Sequence, residues 1–576
     1  MVFERFLGTD SCEESSTTFQ VMTASFLPQR FAPEQTIHPD FAKSVAYFSM
    51  EYAIDPSFKI YSGGLGFLAG SHMRSAAALK QNLCGIGIYW TCGYYNQSRG
   101  DGREMAVQFR RKHPAFLRET GVQFTLRIFD RDVLVRALHL PGDVFGTVPM
   151  FFLTTDMEEN DAFGRNITQR LYDHDANTRL AQYLLLGKGG ARLLEELGVQ
   201  PDVYHLNEAH GVSAALHALE KTGDVEKVRE KFVFTTHTPE EAGNEKSDFS
   251  QVKRAGFFGG MSDATVRAAI GQSGDLFHHT LAALRLSHRA NAVSQQHGEV
   301  ARKMWRDESA IAPIIHITNA QNQKYWQDSI LENARLRGDI ESLRMRKREL
   351  KERLFREVAD QSGKLMDPDV LTIVWARRFA AYKRADLLTR DQKWFRELLS
   401  RSDRPVQIIW AGKPYPFDYD AIETFNHLIQ LTEPYPNATV LVGYELELSR
   451  DLKNGSDVWL NTPIVTREAS GTSGMTAAMN GAINVSTWDG WICEFGQDGK
   501  NSFIVPPAET HLTPAQRDLA DLRHLQEILE NKVCPLYYEQ PDQWWRMVLE
   551  SMNDVVPAFD SDRMAREYYE RLYPSV

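Results

Sequence analysis

Short runs of apolar, β-branched and aromatic residues recur along the chain, and most are followed by a segment with helical spacing of its apolar positions. Such runs are SVAYFSMEY, DVYHLNE and KFVFTTHTP in the first part, and LTIVWARRF, VQIIWAG, ATVLVGY, SDVWLNTP and AINVSTW later. Buried strands of parallel sheets have this near-continuous apolar character, and helices form the crossovers between them. The pattern therefore predicts an α/β protein built from doubly wound parallel sheets.

The predicted strands form two sets, separated by a connecting sequence and a long charged helix between about Asp307 and Leu371. A chain of 576 residues is also too long for one ordinary core. We predict two Rossmann-like domains, residues 1–318 and residues 319–576, with about the first 40 residues as a lead-in of no predictable structure. Because ligands of open α/β sheets bind beyond the carboxyl ends of the strands, the cleft between the domains should hold the ligand. Whether the final helix packs back on the first domain stays open.

Composition narrows the function classes. The chain has 43% hydrophobic and 24% charged residues and a net charge of -11, which argues against a nucleic-acid binder. The basic run Leu343 to Arg353 (LRMRKRELKER) is interrupted by glutamates and is interpreted as a solvated helix face rather than a polyanion site. Five cysteines without a CxxC pair indicate neither a disulfide framework nor a zinc site. No run of 18 apolar residues occurs, so we expect a cytoplasmic protein without a membrane partner.

A glycine cluster follows the first predicted strand, in YSGGLGFLAGSH from Tyr61 to His72. Gly63, Gly64 and Gly66 would let backbone amides approach an anion closely, and the N-terminus of the next helix would add partial positive charge. A plain turn from strand to helix is an equally good explanation of this cluster alone.

Two cations follow the strand LTIVW in the segment ARRFAAYKR. Arg378 and Lys383 are placed so that a forked and a point-like cation could hold a phosphate or diphosphate together. The alternative is a basic surface loop.

A second glycine loop opens another predicted helix, in EASGTSGMTAAMNGA. Glu468 precedes Ser470, Gly471, Thr472 and Ser473, so a carboxylate that could accept bonds from sugar hydroxyls lies beside amides that could hold a phosphate. Simple capping of the helix would explain the same residues.

Polar side chains also end two strands of the first set, in HLNEAHG and TTHTPEEAG. These segments place His205, Asn207, Glu208 and His237 near the cleft, where they could contact hydroxyl groups. A structural role is the competing explanation for each histidine.

Together and in order, these segments resemble the α-glucan phosphorylase family, the glycogen and maltodextrin phosphorylases, and especially its short bacterial and archaeal members. The resemblance extends through nearly the whole chain and also includes GYYNQ, LRLSHRANAVSQQHGEVARKMW and AGKPYP. It implies two Rossmann-like domains facing across a deep cleft, the GT-B architecture, and retaining transfer of an α-linked sugar to or from phosphate.

The resemblance also implies roles for residues of the phosphate site. Arg378 and Lys383 would bind the substrate phosphate, and Gly63, Gly64 and Leu65 would bring backbone amides toward it. The N-terminal domain would then form the acceptor side of the cleft, and the C-terminal domain the donor side.

On the sugar side, the resemblance implies that Glu468, Ser470 and Gly471 contact glucosyl hydroxyls and that His237 lies near the sugar. Arg377 would face the phosphate of the family's cofactor, pyridoxal phosphate. All of these residue types are present in the chain.

The family's cofactor lysine is the main departure, because its position is Thr476 here and no lysine occurs from Glu468 to Gly499. A hydroxyl cannot form a Schiff base. The family's TNGVH also reads TNAQN from Thr318 to Asn322, and its AGHD reads AGNE from Ala242 to Glu245. We therefore expect natural divergence of the site and no bound cofactor.

The leading hypothesis is a retaining glycosyltransferase that moves an α-linked hexosyl, most simply glucosyl, unit from a nucleotide sugar without pyridoxal phosphate. The first alternative is an α-glucan phosphorylase that makes glucose 1-phosphate with pyridoxal phosphate held non-covalently or by another lysine. The second is an inactive glucan-binding regulator. The expected partners are a sugar donor and a saccharide acceptor, no metal is expected, and a homodimer stays open.

Overall fold

The computed structural model describes residues 24–101, 103–509 and 511–574. Cys12 and the first 23 residues of the predicted lead-in lie outside the described residues. Nine strands form the first sheet: β1 (Val45–Phe48), β2 (Leu83–Ile88), β3 (Arg118–Ile128), β4 (Arg131–Leu140), β5 (Met150–Thr154), β6 (Val203–Asn207), β7 (Phe232–Thr235), β8 (Arg289–Ala292) and β9 (Ile314–His316). Six strands form the second sheet: β10 (Leu371–Ala376), β11 (Val406–Ala411), β12 (Ala438–Leu441), β13 (Val458–Asn461), β14 (Ile483–Thr487) and β15 (Ser502–Val505).

The first sheet has the strand order β9-β8-β7-β6-β1-β2-β5-β4-β3. Its neighbours pair in parallel except at one edge, where β3 and β4 form an antiparallel hairpin that joins β5. β1 and β2 are buried at every residue, which explains their continuous apolar sequence. The strand order reverses between β1 and β6, so the loops after these two strands open onto one crevice.

The second sheet is entirely parallel and has the order β12-β11-β10-β13-β14-β15. Counted within this sheet the order is 3-2-1-4-5-6, that of a Rossmann fold. The loops after β10 and β13 therefore flank its switch point. The predicted α/β class with two doubly wound units is confirmed.

The α-helices of at least seven residues in the first part of the chain are Gly64–Ala78, Ala176–Leu184, Gly190–Glu196, Ser213–Thr222, Phe249–Ala255, Asp263–Ile270, His279–Arg285 and Gln295–Met304. Those of the second part are Ser329–Arg337, Ile340–Ser362, Gln392–Ser400, Tyr419–Thr432, Leu446–Gly455, Thr472–Met479, Pro514–Ile528, Pro541–Phe559 and Ser561–Glu567. Shorter α-helices are Gly142–Phe145, Ala162–Asn166, Val225–Arg229, Gln323–Trp326, Ile492–Phe495 and Cys534–Glu539.

The predicted basic run lies in the helix Ile340–Ser362, and most of its charged residues are exposed. Lys347 and Lys351 are exceptions that the sequence interpretation missed, because both are buried. Lys351 Nζ lies 2.6 Å from Asp457 Oδ2, and Lys347 Nζ donates to Asn480 O at 2.7 Å. The run thus has a solvated face and also anchors the helix to the second sheet.

Two elements extend from one sheet unit to the other. The antiparallel hairpin of Asn96–Arg99 and Met105–Gln108 lies on the second sheet's core, where Met105 is buried. At the chain's end, Tyr568 and Tyr573 belong to the core of the first sheet. The domain limits at residues 318 and 319 remain a prediction.

Candidate active site

A cavity of about 780 Å³ lies between the two sheets, and both contribute to its walls. The predicted site residues in its lining are Gly63, Gly64, Leu65, His237, Arg377, Arg378, Lys383, Glu468, Ser470, Gly471, Thr472 and Ser473. Residues from segments far apart in sequence are therefore brought together at the switch point of the second sheet. Asn207 and Thr476 are not part of the lining.

A compact cluster of charge lies where β10 ends. Arg377 Nη2 is 2.6 Å from Glu468 Oε2, and Lys383 Nζ is 3.1 Å from the same oxygen. Burial, with the nearby charge of Arg377, lowers the pKa of Lys383 to about 7 although Glu468 opposes the shift. Burial raises the pKa of Glu468, but Arg377 and Lys383 outweigh burial, so that pKa is lowered overall. The carboxylate therefore stays ionised between two cations.

Arg378 differs from its neighbour Arg377 in exposure and pairing. Arg377 is 5% exposed, whereas Arg378 extends into the open cleft and lies in the cavity wall. No carboxylate within the described ranges lies within ion-pair distance of its guanidinium. Arg378 can therefore bind an incoming anion without giving up a protein partner.

Three buried polar atoms beside this cluster lack a hydrogen-bond partner among the described residues: Arg377 Nη1, Ser470 Oγ and Ser473 Oγ. All three residues line the cavity, next to the N-terminus of the helix Thr472–Met479, whose first residues follow Gly471 without a side-chain cap. Buried polar groups are rarely left unpaired without a reason. A guanidinium, two hydroxyls and the free amides of a helix N-terminus together form an anion subsite.

Close backbone contact holds Arg377 in place. Gly412 follows β11, and a Cβ at this position would lie 1.8 Å from Arg377 O. Gly490 has a φ of +68°, and a Cβ there would lie 2.4 Å from Ser470 O. These two glycines let neighbouring strand ends approach the loops that carry the anion subsite.

The glycine-rich loop after β1 is organised by a carboxylate that the sequence interpretation missed. Glu51 is 2% exposed and accepts from Ser62 N at 2.6 Å and from Gly63 N at 3.2 Å. The amide of Gly63 is therefore occupied. The amides of Gly64 and Leu65 open the helix Gly64–Ala78 and have no intrahelical acceptor, so these two remain able to donate to an anion.

On the side of the first sheet, His237 Nε2 lies 2.7 Å from Asn207 Oδ1, which requires that this nitrogen carry the proton. Burial lowers the pKa of His237 to about 3, with smaller contributions from two neighbouring histidines. His237 is therefore neutral at physiological pH and acts as a hydrogen-bonding group rather than a proton donor of ordinary strength. Asn207 acts behind it and fixes its ring.

Glu208 is a further feature of this wall. It has a φ of +69°, a conformation uncommon for a residue with a side chain, and its carboxylate accepts from the backbone of His237 and from Thr238 Oγ1. Tyrosines, whose amphipathic side chains suit sugars, also contribute to the cavity lining; these are Tyr94, Tyr172, Tyr183, Tyr382, Tyr415 and Tyr444.

Thr476, the position that the resemblance assigns to lysine, is not part of the cavity lining. Its side chain is fully buried, and its hydroxyl donates to Ser473 O at 3.0 Å inside the helix Thr472–Met479. The hydroxyl thus satisfies the helix backbone.

In the part of the chain that the structure describes, no group of three or more His, Cys, Asp or Glu side chains is arranged to hold a metal ion. Nor is any helix there long and apolar enough to cross a membrane.

Comparisons with known proteins agree with this arrangement. The family model described as carbohydrate phosphorylase matches residues 323–505, which include the second sheet and its anion subsite. An uncharacterized protein of Methanocaldococcus jannaschii is 44% identical over 92% of this chain and 100% of its own length. Maltodextrin phosphorylase of Thermococcus litoralis is 34% identical over 93% of this chain and 71% of its own length. Glycogen phosphorylase of Aquifex aeolicus is 30% identical over 93% and 87%, respectively.

The relatives match more than nine tenths of this chain, and the residues matched by the family model include the second sheet with Arg377, Arg378, Lys383 and Glu468. The family resemblance inferred from the sequence motifs is confirmed. The chain belongs to the carbohydrate phosphorylase family of glycosyl-transferring enzymes.

Proposed function

We propose that this protein transfers a glucosyl unit between an α-glucan and inorganic phosphate, with retention of the anomeric configuration. The observation that carries the proposal is the pair of cations Arg378 and Lys383, which line a tyrosine-lined cavity beside the anion subsite at the switch point of the second sheet. The relatives named maltodextrin phosphorylase and glycogen phosphorylase support the substrate class.

A feature of the cleft favours phosphate over a nucleotide sugar as the donor group. In doubly wound folds a nucleotide extends over the carboxyl ends of the strands beside the switch point. Here Gln97 donates to Gly412 O at 2.9 Å and accepts from Gly443 N at 3.0 Å, so the hairpin of the first sheet unit covers the ends of β11 and β12. A nucleoside would have to displace that hairpin, whereas a phosphate would not.

Different residues of the cavity bind the phosphate and the sugar in this proposal. Arg378 and Lys383 hold the substrate phosphate and neutralise the charge that develops on it, an electrostatic contribution that usually dominates such reactions. Glu468 accepts hydrogen bonds from sugar hydroxyls, and Ser470 donates hydrogen bonds to them. His237 presents its unprotonated Nδ1 as a hydrogen-bond acceptor at the sugar side.

Pyridoxal phosphate fits part of this site. The unpartnered Arg377 Nη1 and Ser473 Oγ would hold its phosphate, which would supply a second phosphate group beside that of the substrate. Thr476 offers no amine to its aldehyde, so attachment at that position is ruled out by chemistry. Whether the protein carries the cofactor depends on another amine or on non-covalent binding.

A nucleotide-sugar glycosyltransferase is the second candidate, and Thr476 is the observation that favours it. In that reaction Arg378 and Lys383 would stabilise the departing diphosphate, and no cofactor would be needed. Both candidates use the same cations, so they differ in the donor rather than in the site.

A donor panel separates the candidates. The purified protein is incubated with maltodextrin and phosphate, with maltodextrin and glucose 1-phosphate, and with maltodextrin and each of several nucleotide sugars, and released glucose 1-phosphate or chain extension is measured. Phosphate-dependent release of glucose 1-phosphate would support the proposal, and extension from a nucleotide sugar alone would support the second candidate. Arg378→Ala should lower either rate at least about 100-fold; an unchanged rate would refute both assignments of Arg378.

A further inference from the structure

A separate cavity of about 280 Å³ lies at the carboxyl edge of the first sheet. One wall is formed by residues 57–60, another by Tyr89 and Trp90, which follow β2, and a third by residues 112–116. Among the described residues it shares no lining residue with the candidate active site. Ligands of open parallel sheets bind beyond the carboxyl ends of the strands, so the location of this cavity suits a second binding site.

The polar part of this lining is basic. Lys59, Lys112 and His113 contribute to it, and no Asp or Glu of the described chain does. A Cβ on Gly93 would lie 2.4 Å from Lys59 O and 3.9 Å from Lys112 Nζ, so the two lysines approach each other at this glycine. Two ammonium groups therefore share one small cavity whose lining provides no carboxylate.

The two ammonium groups also lack partners farther away. Within the described ranges, neither Lys59 Nζ nor Lys112 Nζ has a hydrogen-bond acceptor or a carboxylate within ion-pair distance. Glu445, whose charge acts on Lys112 from a longer distance, is already paired with Lys413. Burial, and after it the charge of Lys59, lowers the pKa of Lys112 to about 8. An anion in the cavity would remove the repulsion between the two lysines.

The backbone fixes the position of Lys112. Tyr89 Oη donates to Lys112 O at 2.5 Å, and Lys112 N donates to Thr91 O at 2.8 Å. The lysine is therefore attached to the segment that follows β2. A cation held in this way loses little freedom when it binds a ligand.

Aromatic rings make up much of the remaining wall. Phe58 lies between Tyr89 and Phe116, with ring centroids 6.4 Å and 5.3 Å away. Trp90 Nε1 donates to Met50 O at 2.8 Å, so the indole presents its ring rather than a free donor. Such surfaces suit the apolar face of a sugar ring.

We propose that this cavity binds the phosphate monoester of a single sugar, with Lys59 and Lys112 on the phosphate and the aromatic wall on the sugar ring. A phosphate monoester carries nearly two negative charges at neutral pH, which matches two unpaired ammonium groups. The volume is just below the range of roughly 300–1,000 Å³ that is typical of pockets for drug-sized ligands. One sugar ring therefore fits, whereas a nucleotide sugar or a glucan chain does not. The inference goes beyond the proposed function and does not rest on it.

The first test measures the cavity directly, with glucose 1-phosphate as the probe. The full-length protein is treated with a limiting amount of acetic anhydride at a pH near the pKa of Lys112, and acetylation of each lysine is measured by mass spectrometry. Glucose 1-phosphate should protect Lys112 and Lys59, glucose should protect neither, and Lys393, whose side chain is 87% exposed, should react equally throughout. Unchanged acetylation of Lys112 would overturn the inference. Equal protection at equal concentrations of inorganic phosphate would overturn the role of the sugar ring.

The second test measures affinity by isothermal titration calorimetry in a protein that carries Arg378→Ala and Lys383→Met, which removes two phosphate-binding cations of the candidate active site. One site for glucose 1-phosphate should remain. Adding Lys112→Met or Lys59→Met should weaken it at least about tenfold, Lys112→Arg should restore it, and Lys393→Met should leave it unchanged. Absence of a remaining site in the folded protein, or a remaining site that is insensitive to Lys112→Met, would contradict the assignment.

The outcome is independent of the donor panel. Protection of Lys112 in a protein without phosphorolysis would support the inference and count against the proposed function. Phosphorolysis without protection of Lys112 would support the proposed function and overturn the inference.

Discussion

The depressed pKa of Lys383 makes the affinity for a phosphorylated donor depend on pH. In the ligand-free protein that pKa is about 7, because the ammonium group is buried beside Arg377. A bound phosphate dianion favours the charged lysine, so the bound form holds its proton to higher pH. As pH rises above 7, the free protein loses a charge that the complex needs, and affinity should fall by up to about tenfold per pH unit.

The size of the effect follows from this shift. Between pH 7 and pH 9 the uncharged fraction of Lys383 rises from half to nearly all, so the dissociation constant for glucose 1-phosphate should increase up to about 50-fold. The second ionisation of a phosphate monoester lies near pH 6, so the ligand itself is a dianion throughout this range. Isothermal titration calorimetry at several pH values measures the change directly.

Lys383→Arg provides the control, because a guanidinium stays charged over the whole range. Its dissociation constant should vary little between pH 7 and pH 9, even if its absolute affinity differs. A wild-type affinity that is flat over these two pH units, or that falls equally in Lys383→Arg, would refute the reasoning.

Three further outcomes test other parts of the structure. Asp457→Asn breaks the buried Lys351–Asp457 pair and should lower the free energy of unfolding, measured by urea denaturation, by about 3–5 kcal/mol. Adding Lys351→Met should recover much of the loss. Equal stability of Asp457→Asn and the wild type would contradict the importance of the pair. Burial raises the pKa of Asp489 to about 7, so the folded protein binds this proton more tightly than the unfolded chain does, and wild-type stability should decline as the pH rises from about 4 to 7. Asp489→Asn should flatten that part of the plot of urea midpoint against pH. An unchanged plot would contradict this role of Asp489. Gly412→Ala should weaken phosphate binding at least about tenfold because its Cβ would displace Arg377. At Gly274 a Cβ meets nothing within 4 Å and the backbone has no positive φ, so the same change there should leave binding intact.

The two sheets and most of the cavity residues could be predicted because each is indicated by a short, continuous stretch of sequence. A continuous apolar run followed by a glycine or a basic residue marks a strand end, and parallel strands bring their ends to one edge. Arg377, Arg378 and Glu468 follow from this rule although about ninety residues separate the arginines from the glutamate. Their pairing in the ligand-free protein does not follow, because it depends on side-chain distances.

The missed residues are those whose roles depend on packing between distant helices. Glu51 had a local signal, a carboxylate shortly after the end of β1, which could have indicated an acceptor at the edge where the glycine loop lies. Lys351 had none, because its segment, KRELKERL, has the charge pattern of an exposed helix. Only its pairing with Asp457 in the structure shows that the amine is buried.

The hairpin of Asn96–Arg99 and Met105–Gln108, together with the segment that contains Tyr568 and Tyr573, makes folding of the two halves depend on each other. Each half of the protein covers apolar surface of the other. The hairpin lies on the core of the second sheet, and the Tyr573 hydroxyl forms a hydrogen bond with His205 of the first sheet. Neither half produced alone would bury its own apolar surface fully. Two fragments divided near residue 318 should therefore be poorly soluble apart and regain a native fold only when they are refolded together.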